Sequence, residues 1–355
     1  MPGLRPVCDK PCGFLPPYVV EHLFENADPD VRRIAFRTIE ATAEGRTRRE
    51  TAAAAVLGRS STPGIAGRRT VCDMEGRFSP LPGTPKRQEG QSDTGQREVD
   101  EAYDNAGKTR GFYHSVLQRA SLDGMGHALV ASVNYGNQVA NAFWDGERMI
   151  YGAGDGDLFL SFTKSLAIAA HEMTHGVLNF SSQLEYQGEP GALNESFCDA
   201  IGISVDHYAT GADVTTGSWF MGGEVVGPGL GSLSGFRSFS DEPAYLDHPI
   251  LGTDPQPKHM RDFIVTDIDH GGVHLNSGIP NRAFYLAAQS IGGYVWDTTT
   301  KIWHEAFTSV LNKRATFAQA ADATSTVAQR RFGDREAQAV INAWRTVGVD
   351  REGRT

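Results

Sequence analysis

The segment that most constrains how this chain can fold is residues 161–178, SFTKSLAIAAHEMTHGVL. It is long and mostly apolar, which predicts a buried helix. His171 and His175 are four residues apart, so a helix would project both imidazoles from one face. A buried polar group is costly without a partner, so these histidines and the neighbouring Glu172 need one. The segment therefore predicts a central helix built around a chemical site.

The spacing of this motif, His171-Glu172-Met173-Thr174-His175, is typical of zinc hydrolases. Two imidazoles on one helix face can reach one ion, and zinc activates water and polarises a carbonyl. Glu172 lies beside them, where it can take a proton from that water. The alternative is a structural helix whose two histidines are simply hydrogen-bonded.

The third ligand separates the classes of zinc hydrolase, because a catalytic zinc takes three protein ligands and leaves one position open. In metzincins it is a histidine six residues beyond the second one, but here Ser181 stands at that position. Downstream lies the segment GALNESFCD. We expect Glu195 to open a helix there and to ligate the metal, with Asp199 one turn further on to orient a histidine ring.

A further motif, DHGGVHLNSG at residues 269–278, places a histidine after two glycines. This arrangement suits a tight loop that presents the ring of His274 into a cleft. By itself the motif is also compatible with an exposed loop histidine.

The two sides of the central helix differ in their patterns. Residues 70–156 contain short runs such as HALVASVNY, punctuated by turn residues, which predict strands with one helix near 99–120. After residue 191 the apolar spacing is chiefly helical. Ahead of both, residues 18–58 predict two or three short helices, too few to build a core alone. The pattern predicts an α+β fold with a strand-rich half, a helical half and a small helical leader.

Composition excludes several classes of protein. The net charge of −10 argues against a protein that grips nucleic acid, and no window is apolar enough to span a membrane. The N-terminal stretch lacks the apolar run of a secretory signal. Four cysteines, Cys8, Cys12, Cys72 and Cys198, are too scattered for a disulfide framework, and Cys198 is expected in a buried helix. For Cys8 and Cys12 a disulfide, a stray metal and no role all stay open.

These motifs resemble the thermolysin family of metallopeptidases, from about Thr70 to Val349. The resemblance also includes the segments NAFW at 141–144, YGAGDG at 151–156 and FRS at 236–238. It implies a two-lobed peptidase in which the zinc helix separates a strand-rich N-terminal lobe, residues 68–178, from a mainly helical C-terminal lobe, residues 179–352. The implied activity is hydrolysis of internal peptide bonds of proteins.

The resemblance also assigns roles to individual residues. It implies that His171, His175 and Glu195 bind one zinc ion, that Glu172 is the general base, and that His274 and Tyr186 stabilise the oxyanion. Arg237, Asn141 and Ala142 would bind the substrate backbone, while Asp199 and Asp269 would steady His171 and His274. Phe159, Phe162, Ile168 and Phe236 would line the pocket for the residue after the cut bond, which implies cleavage on the N-terminal side of apolar residues.

The leader, with Pro16-Pro17-Tyr18 before its helices, is similar to the precursor segment of the protealysin-like subgroup. The resemblance implies that residues 1–67 are an inhibitory propeptide, removed near the linker at residues 60–69. A permanent structural extension is the alternative. The family is often extracellular, which implies secretion although no signal peptide is visible.

One position departs from the family pattern. Members with a paired calcium site carry an acidic residue four positions before the first histidine, but here Ala167 occupies that position. A paired calcium site is therefore not expected, and a single weaker calcium site near Asp206 and Asp213 stays an alternative. A catalytically inactive, peptide-binding relative is the alternative to an enzyme, although it predicts loss of a ligand or of the base, and all are present.

Overall fold

The computed structural model describes residues 13–25, 28–56 and 67–350, with the side chains of 50 and 52–56 excepted. Cys8, Cys12 and most of the expected linker lie outside these residues. None of the helices within the described ranges is both long and apolar enough to cross a membrane.

The strands form one five-stranded sheet and one hairpin. In chain order the strands of the sheet are β1 (Arg69–Asp73), β2 (Thr84–Gln88), β3 (Leu129–Val133), β4 (Ala142–Trp144) and β5 (Met149–Tyr151). Their spatial order is β2-β1-β3-β5-β4, with β1, β3 and β5 parallel and the two edge strands antiparallel to their neighbours. The hairpin pairs β6 (Phe220–Gly222) with β7 (Gly235–Ser238). The sheet puts β4 at its edge, so one side of β4 is available to an added peptide.

The described residues also form ten α-helices. They are α1 (Pro17–Glu25), α2 (Pro29–Val56), α3 (Arg97–Ser115), α4 (Leu166–Asn179), α5 (Gly188–Thr210), α6 (Asp269–Asn276), α7 (Gly278–Ile291), α8 (Thr299–Glu305), α9 (Phe317–Arg331) and α10 (Asp334–Thr346). The five-stranded sheet thus precedes α4, and helices dominate after it apart from the β6–β7 hairpin, which confirms the α+β fold predicted from the sequence.

The central helix α4 begins at Leu166, later than the predicted start near residue 161, because Ser165 accepts a hydrogen bond from the amide of Ile168 at 3.2 Å and caps its first turn. Every residue from Leu166 to Leu178 is buried. A helix that is buried on all sides must have neighbours all round. It packs against α5, α3 and β4, so its histidines lie between the sheet and the helical half.

Helix α5 differs from the prediction at its start. Glu195 was expected to open this helix, but the helix begins at Gly188, so Glu195 lies in its interior and on a buried turn. Its left-handed C-cap is Gly211, with φ of 70°. The extra turns before Glu195 place that side chain deep against α4 instead of at a helix end.

The leader forms two helices, of which α2 is longer than the short helices that were expected. Asp28 caps α2, accepting a hydrogen bond from the amide of Asp30 at 2.8 Å, and Pro29 is the first residue of the helix. Buried residues of α1 and α2, among them Val19, Leu23 and Ile34, belong to the same apolar cluster as the core of the remaining chain. The leader therefore packs on the body of the protein and shares its core.

Candidate metal centre and substrate cleft

The three expected metal ligands come together on two helices. His171 and His175 project from α4 and Glu195 from α5, and their ligand atoms all lie within 4.8 Å of one another. The carboxylate of Glu195 is 3.5 Å from Nε2 of His171 and 3.4 Å from Nε2 of His175. All three side chains are buried. Within the described ranges this is the one group of His, Cys, Asp and Glu side chains arranged to hold a metal.

The hydrogen bonding of these atoms fits a cation between them. Among the residues that the structure describes, Nε2 of His171, Nε2 of His175 and Oε2 of Glu195 have no hydrogen-bond partner, although all three atoms are buried. Buried polar atoms are rarely left without partners. Two imidazole nitrogens and one carboxylate oxygen are a common ligand set of catalytic zinc, and zinc would satisfy all three atoms.

The second nitrogen of each histidine has its own neighbour. Nδ1 of His171 lies 2.8 Å from Oδ1 of Asp199, the residue expected to orient it. Nδ1 of His175 lies 2.9 Å from Oδ1 of Asn194 and 3.2 Å from Sγ of Cys198. Sequence reasoning missed Asn194, because residues adjacent in a helix point about 100° apart and nothing in the pattern indicated that it faces α4.

Asp199 also binds Arg237, which the sequence analysis had placed on the substrate backbone. The guanidinium meets the carboxylate twice, with Nε 2.8 Å from Oδ2 and Nη2 2.6 Å from Oδ1. Asn281 donates a third hydrogen bond to Oδ2, at 2.9 Å. Burial works against the charged form, but Arg237 and His171 outweigh it and hold the pKa of Asp199 well below its usual range. Arg237 and His171 therefore favour the ionised form of Asp199.

Glu172 stands beside the metal ligands, and its pKa is set mainly by burial. Its side chain is fully buried, and Oε2 accepts a hydrogen bond from the amide of Trp144 at 2.7 Å. Burial raises its pKa to about 7, opposed by His171 and assisted by the negative charge of Glu195. A carboxyl group whose pKa lies near neutral pH can both accept and release a proton, which suits a general base. A cation bound nearby would favour its ionised form.

His274 and Tyr186 both approach the carboxylate of Glu195. Nε2 of His274 is 3.5 Å from Oε2 of Glu195, and the Tyr186 hydroxyl donates to Oε1 of the same carboxylate. Asp269 lies 2.7 Å from Nδ1 of His274. Burial lowers the pKa of His274, but Asp269 and Glu195 reverse this and raise it to about 9. His274 is thus held as a hydrogen-bond donor that points into the cleft.

The geometry around His274 was only partly expected. His270, Gly271 and Gly272 have left-handed backbones with φ of 54°, 81° and 72°, which makes the predicted tight turn. His274 itself lies after that turn, in the helical end of α6. The turn reverses the chain so that Asp269 can bind both the ring and the backbone amide of His274, the latter at 2.8 Å.

The residues expected to line an apolar pocket are all fully buried: Phe159, Phe162, Ile168 and Phe236. The ring of Phe159 stacks on Phe236 at 5.7 Å and on Phe162 at 6.3 Å. A side chain added at Gly222 would come within 2.8 Å of the Phe14 ring and 3.0 Å of Phe236. Phe14 of the leader and Phe236 of the body therefore pack against the same glycine.

The leader occupies the cleft itself. The amide of Phe14 donates to the carbonyl of Ala142 at 2.9 Å, and the amide of Leu15 donates to Oδ1 of Asn141 at 2.7 Å. Arg237 donates to the carbonyl of Phe14, with its guanidinium 4.2 Å above the ring. The residues that were expected to hold a substrate backbone thus hold the leader.

Helix α2 adds arginines that sequence reasoning missed. The guanidinium of Arg49 stacks over the ring of Tyr186 at 5.1 Å, and Arg46 lies 3.0 Å from Nδ1 of His270. Arg48 donates to the hydroxyl of Tyr135 at 2.9 Å. The available signal was the run RTRRE at residues 46–50, which resembled the solvated face of a helix.

Asp206 and Asp213, the residues considered for a weak calcium site, have different neighbours. Asp206 lines a pocket with Ala167, Phe220 and Glu224, and burial together with Glu224 raises its pKa to about 6. Oδ1 of Asp213 accepts hydrogen bonds from the Thr215 and Thr216 amides at 2.9 and 3.0 Å. Oδ1 of Asp213 is thus hydrogen-bonded within its own loop.

Comparisons with known proteins agree with this geometry. Residues 69–179 match the family model of the thermolysin metallopeptidase catalytic domain, and residues 182–349 match that of its alpha-helical domain. An extracellular metalloprotease of Pectobacterium carotovorum subsp. carotovorum is 38% identical, over 98% of this chain and 97% of that protein. Protease PrtS of Photorhabdus sp. (strain Az29) is 34% identical, over 95% and 92%. The solved precursor of protealysin, a metalloproteinase from Serratia proteamaculans, is 38% identical with a TM-score of 0.85, covering 95% of this chain and 99% of that one.

Proposed function

The chain belongs to the thermolysin family of zinc metalloendopeptidases, and from this membership we propose how its own residues divide the reaction. His171, His175 and Glu195 hold the zinc ion, and Glu172 is the general base. The observation that carries the proposal is the set of three buried ligand atoms that lack hydrogen-bond partners among the described residues. Zinc, when bound, supplies Lewis-acid polarisation of the scissile carbonyl and of the attacking water.

The proton route runs through Glu172. Its carboxylate takes the proton of the attacking water and passes it to the leaving nitrogen, so no covalent acyl-enzyme is needed. Its Oε1 is buried and free of hydrogen bonds within the described residues, while Oε2 is fixed by the Trp144 amide. One oxygen is thus anchored and the other is available for the water.

The developing negative charge on the carbonyl oxygen is stabilised by His274 and Tyr186. Nε2 of His274 and the hydroxyl of Tyr186 are 3.3 Å apart, close enough to bond to the same oxygen. Asp269 keeps the His274 ring oriented as a donor. Fixed donors of this kind are worth about 3 kcal/mol each at the transition state.

Substrate binds along β4 in an extended form. Asn141 and Ala142 pair with its backbone, Arg237 binds the carbonyl after the cut bond, and Asp199 fixes Arg237. The apolar pocket bounded by Phe159, Phe162, Ile168 and Phe236 receives the side chain after the cut, so cleavage falls on the N-terminal side of apolar residues. Polypeptides are therefore the substrates.

The leader is an intramolecular inhibitor. We assign residues 1–67 to it, residues 68–178 to the N-terminal lobe and residues 179–352 to the C-terminal lobe. Phe14 is fully buried in the cleft and contacts the residues proposed to bind substrate, so peptide cannot enter while the leader stays. Because a 38% identical relative is named extracellular, we propose that the protein is secreted.

The assignment is tested with casein as substrate. We would purify the wild type and Glu172→Gln, with Glu75→Gln as a matched change at an exposed site, and measure zinc content, leader loss and casein hydrolysis. We expect wild type and Glu75→Gln to cleave casein and to be stopped by a chelator, and Glu172→Gln to keep its zinc but lose activity. Full activity in Glu172→Gln would remove it as the base. Zinc binding without cleavage by leader-free wild type would favour a peptide-binding protein.

A further inference from the structure

One peptide bond of the leader is held at both ends by groups of the cleft. The carbonyl of Gly13 accepts a hydrogen bond from Nε2 of His274 at 3.1 Å. The nitrogen on the other side of that bond, the amide of Phe14, donates to the carbonyl of Ala142 at 2.9 Å. The proposed oxyanion donor and the proposed backbone acceptor therefore bracket the Gly13–Phe14 bond.

The next two hydrogen bonds show the direction in which the leader runs through the cleft. The carbonyl of Phe14 accepts from Arg237, and the amide of Leu15 donates to Asn141 at 2.7 Å. Together these four hydrogen bonds alternate along three consecutive residues, as they would along an extended substrate. The leader thus runs through the cleft in the orientation of a substrate.

The side chain after this bond is anchored as well. The Phe14 ring is fully buried, 5.8 Å from the ring of His171 and next to Gly222 and Phe236. An apolar residue in this pocket is what the proposed specificity requires on the C-terminal side of a cut. The bond before Phe14 consequently lies in the position of a bond to be cleaved.

We propose that the zinc-loaded precursor cuts its own leader between Gly13 and Phe14, an inference that rests on the proposed function. Water oxygen bonds to the carbonyl carbon of Gly13, the bond from that carbon to the Phe14 nitrogen breaks, and Glu172 moves one proton from the water to that nitrogen. The products are a carboxylate at Gly13 and an amine at Phe14. No oxidant or further reactant is required.

Glycine at position 13 is part of this geometry. A Cβ there would lie 2.7 Å from the carbonyl oxygen of Ala142 and 2.7 Å from Nδ2 of Asn141. Both distances are too short for a real contact, so only glycine lets the chain approach β4 this closely. The variant Gly13→Ala should therefore push the bond away from His274 and slow the cut.

The cut does not by itself free the cleft. Beyond Phe14, the leader is still packed through Val19, Val20 and Leu23 of α1, and Arg49 of α2 still covers Tyr186. The expected product is therefore a precursor that begins at Phe14 and stays covered. It is distinct in mass from the product of cleavage near residues 60–69.

The experiment follows the full-length precursor after zinc is added, by intact mass and N-terminal sequencing. We expect a species beginning at Phe14 whose rate of formation does not change on tenfold dilution, because the reaction is intramolecular. Glu172→Gln should not form it. Phe14→Ala should slow it at least tenfold, whereas the matched change Phe36→Ala, at an exposed position of α2, should not alter it.

A second readout does not depend on activity. In the metal-free Glu172→Gln precursor, the amides of Phe14 and Leu15 should be protected from hydrogen exchange because both are hydrogen-bonded in the cleft. Exchange at the rate of an unfolded peptide would overturn the proposal. So would a wild type that cleaves casein once freed of its leader but never forms a chain starting at Phe14, and this result would leave the proposed function intact.

Discussion

Asp199 and Arg237 form a buried bidentate ion pair, and the same carboxylate lies 2.8 Å from Nδ1 of His171, a proposed zinc ligand. One carboxylate therefore contacts both a proposed zinc ligand and the arginine proposed to bind the substrate carbonyl. A substitution of Asp199 should therefore affect both His171 and Arg237.

We predict that Asp199→Asn weakens zinc binding by about tenfold to a hundredfold, the usual effect of removing a carboxylate behind a ligating histidine. The amide keeps the size of the side chain but loses the charge. Titration of zinc against a competing chelator measures the effect. The matched change Asp262→Asn, at an exposed site paired with Arg261, should leave zinc affinity unchanged. Equal affinities for the wild type and Asp199→Asn would contradict this role.

Tyr186→Phe should lower kcat by about a hundredfold with little change in KM or zinc content. The hydroxyl is proposed to stabilise the oxyanion only as the transition state forms, so ground-state binding should not depend on it. Steady-state kinetics on a peptide substrate with an apolar residue after the cut bond would show this. Tyr294→Phe, at a half-exposed position, is the matched control. An increase in KM alone would assign Tyr186 to substrate binding instead.

Arg49→Ala should weaken the inhibition of the uncut precursor by its leader. The guanidinium of Arg49 stacks on Tyr186, and such contacts are worth about 1 kcal/mol or more when shielded from water. Its loss should raise the casein-cleaving activity of the uncut precursor several-fold. Arg33→Ala, on the exposed side of α2, should not do so. Unchanged latency in both variants would indicate that the contacts of residues 13–15 carry the inhibition without Arg49.

Glu89 should contribute stability that depends on pH. Its carboxylate accepts hydrogen bonds from Arg69 at 2.6 and 2.8 Å and from Arg110 at 3.0 Å, and the Arg69 bond is the main reason that its pKa is well below the usual range. A folded-state pKa below the unfolded one stabilises the protein above the unfolded pKa. That stabilisation is lost as the pH falls below about 4.5 toward the folded value.

Glu89→Gln should therefore lower the free energy of unfolding at pH 7 by about 1 kcal/mol, and by less at pH 3. Urea unfolding at both pH values measures the difference. Glu75→Gln, a more exposed partner of Arg77 and Lys86, is the control. A loss of stability that is the same at both pH values would exclude the linkage.

The central helix and its chemistry could be read from local sequence. Helical geometry fixes that residues four apart share a face, so the pairing of His171 with His175 and the nearby position of Glu172 follow from spacing alone. The apolar residues around them predicted a buried helix, and every residue from Leu166 to Leu178 is buried in the structure. These properties depend on one element at a time.

Contacts between elements that are distant in the chain could not be predicted from local residue spacing. Asn194 faces His175 because α5 starts at Gly188 and packs against α4 at one rotation, which no spacing within α5 reveals. Arg49 reaches Tyr186 across 137 positions of the chain (186 − 49), because the leader folds back onto the cleft.

By itself, the sequence determined which side chains could bind a metal, which residue could serve as a base, and that a strand-rich half comes before the central helix and a mainly helical half after it. Tertiary structure alone decided that the Gly13–Phe14 bond lies between His274 and Ala142. The physical reason is that side-chain periodicity is set by backbone geometry within each element. The rotation and depth at which elements meet are set by the packing of the whole core.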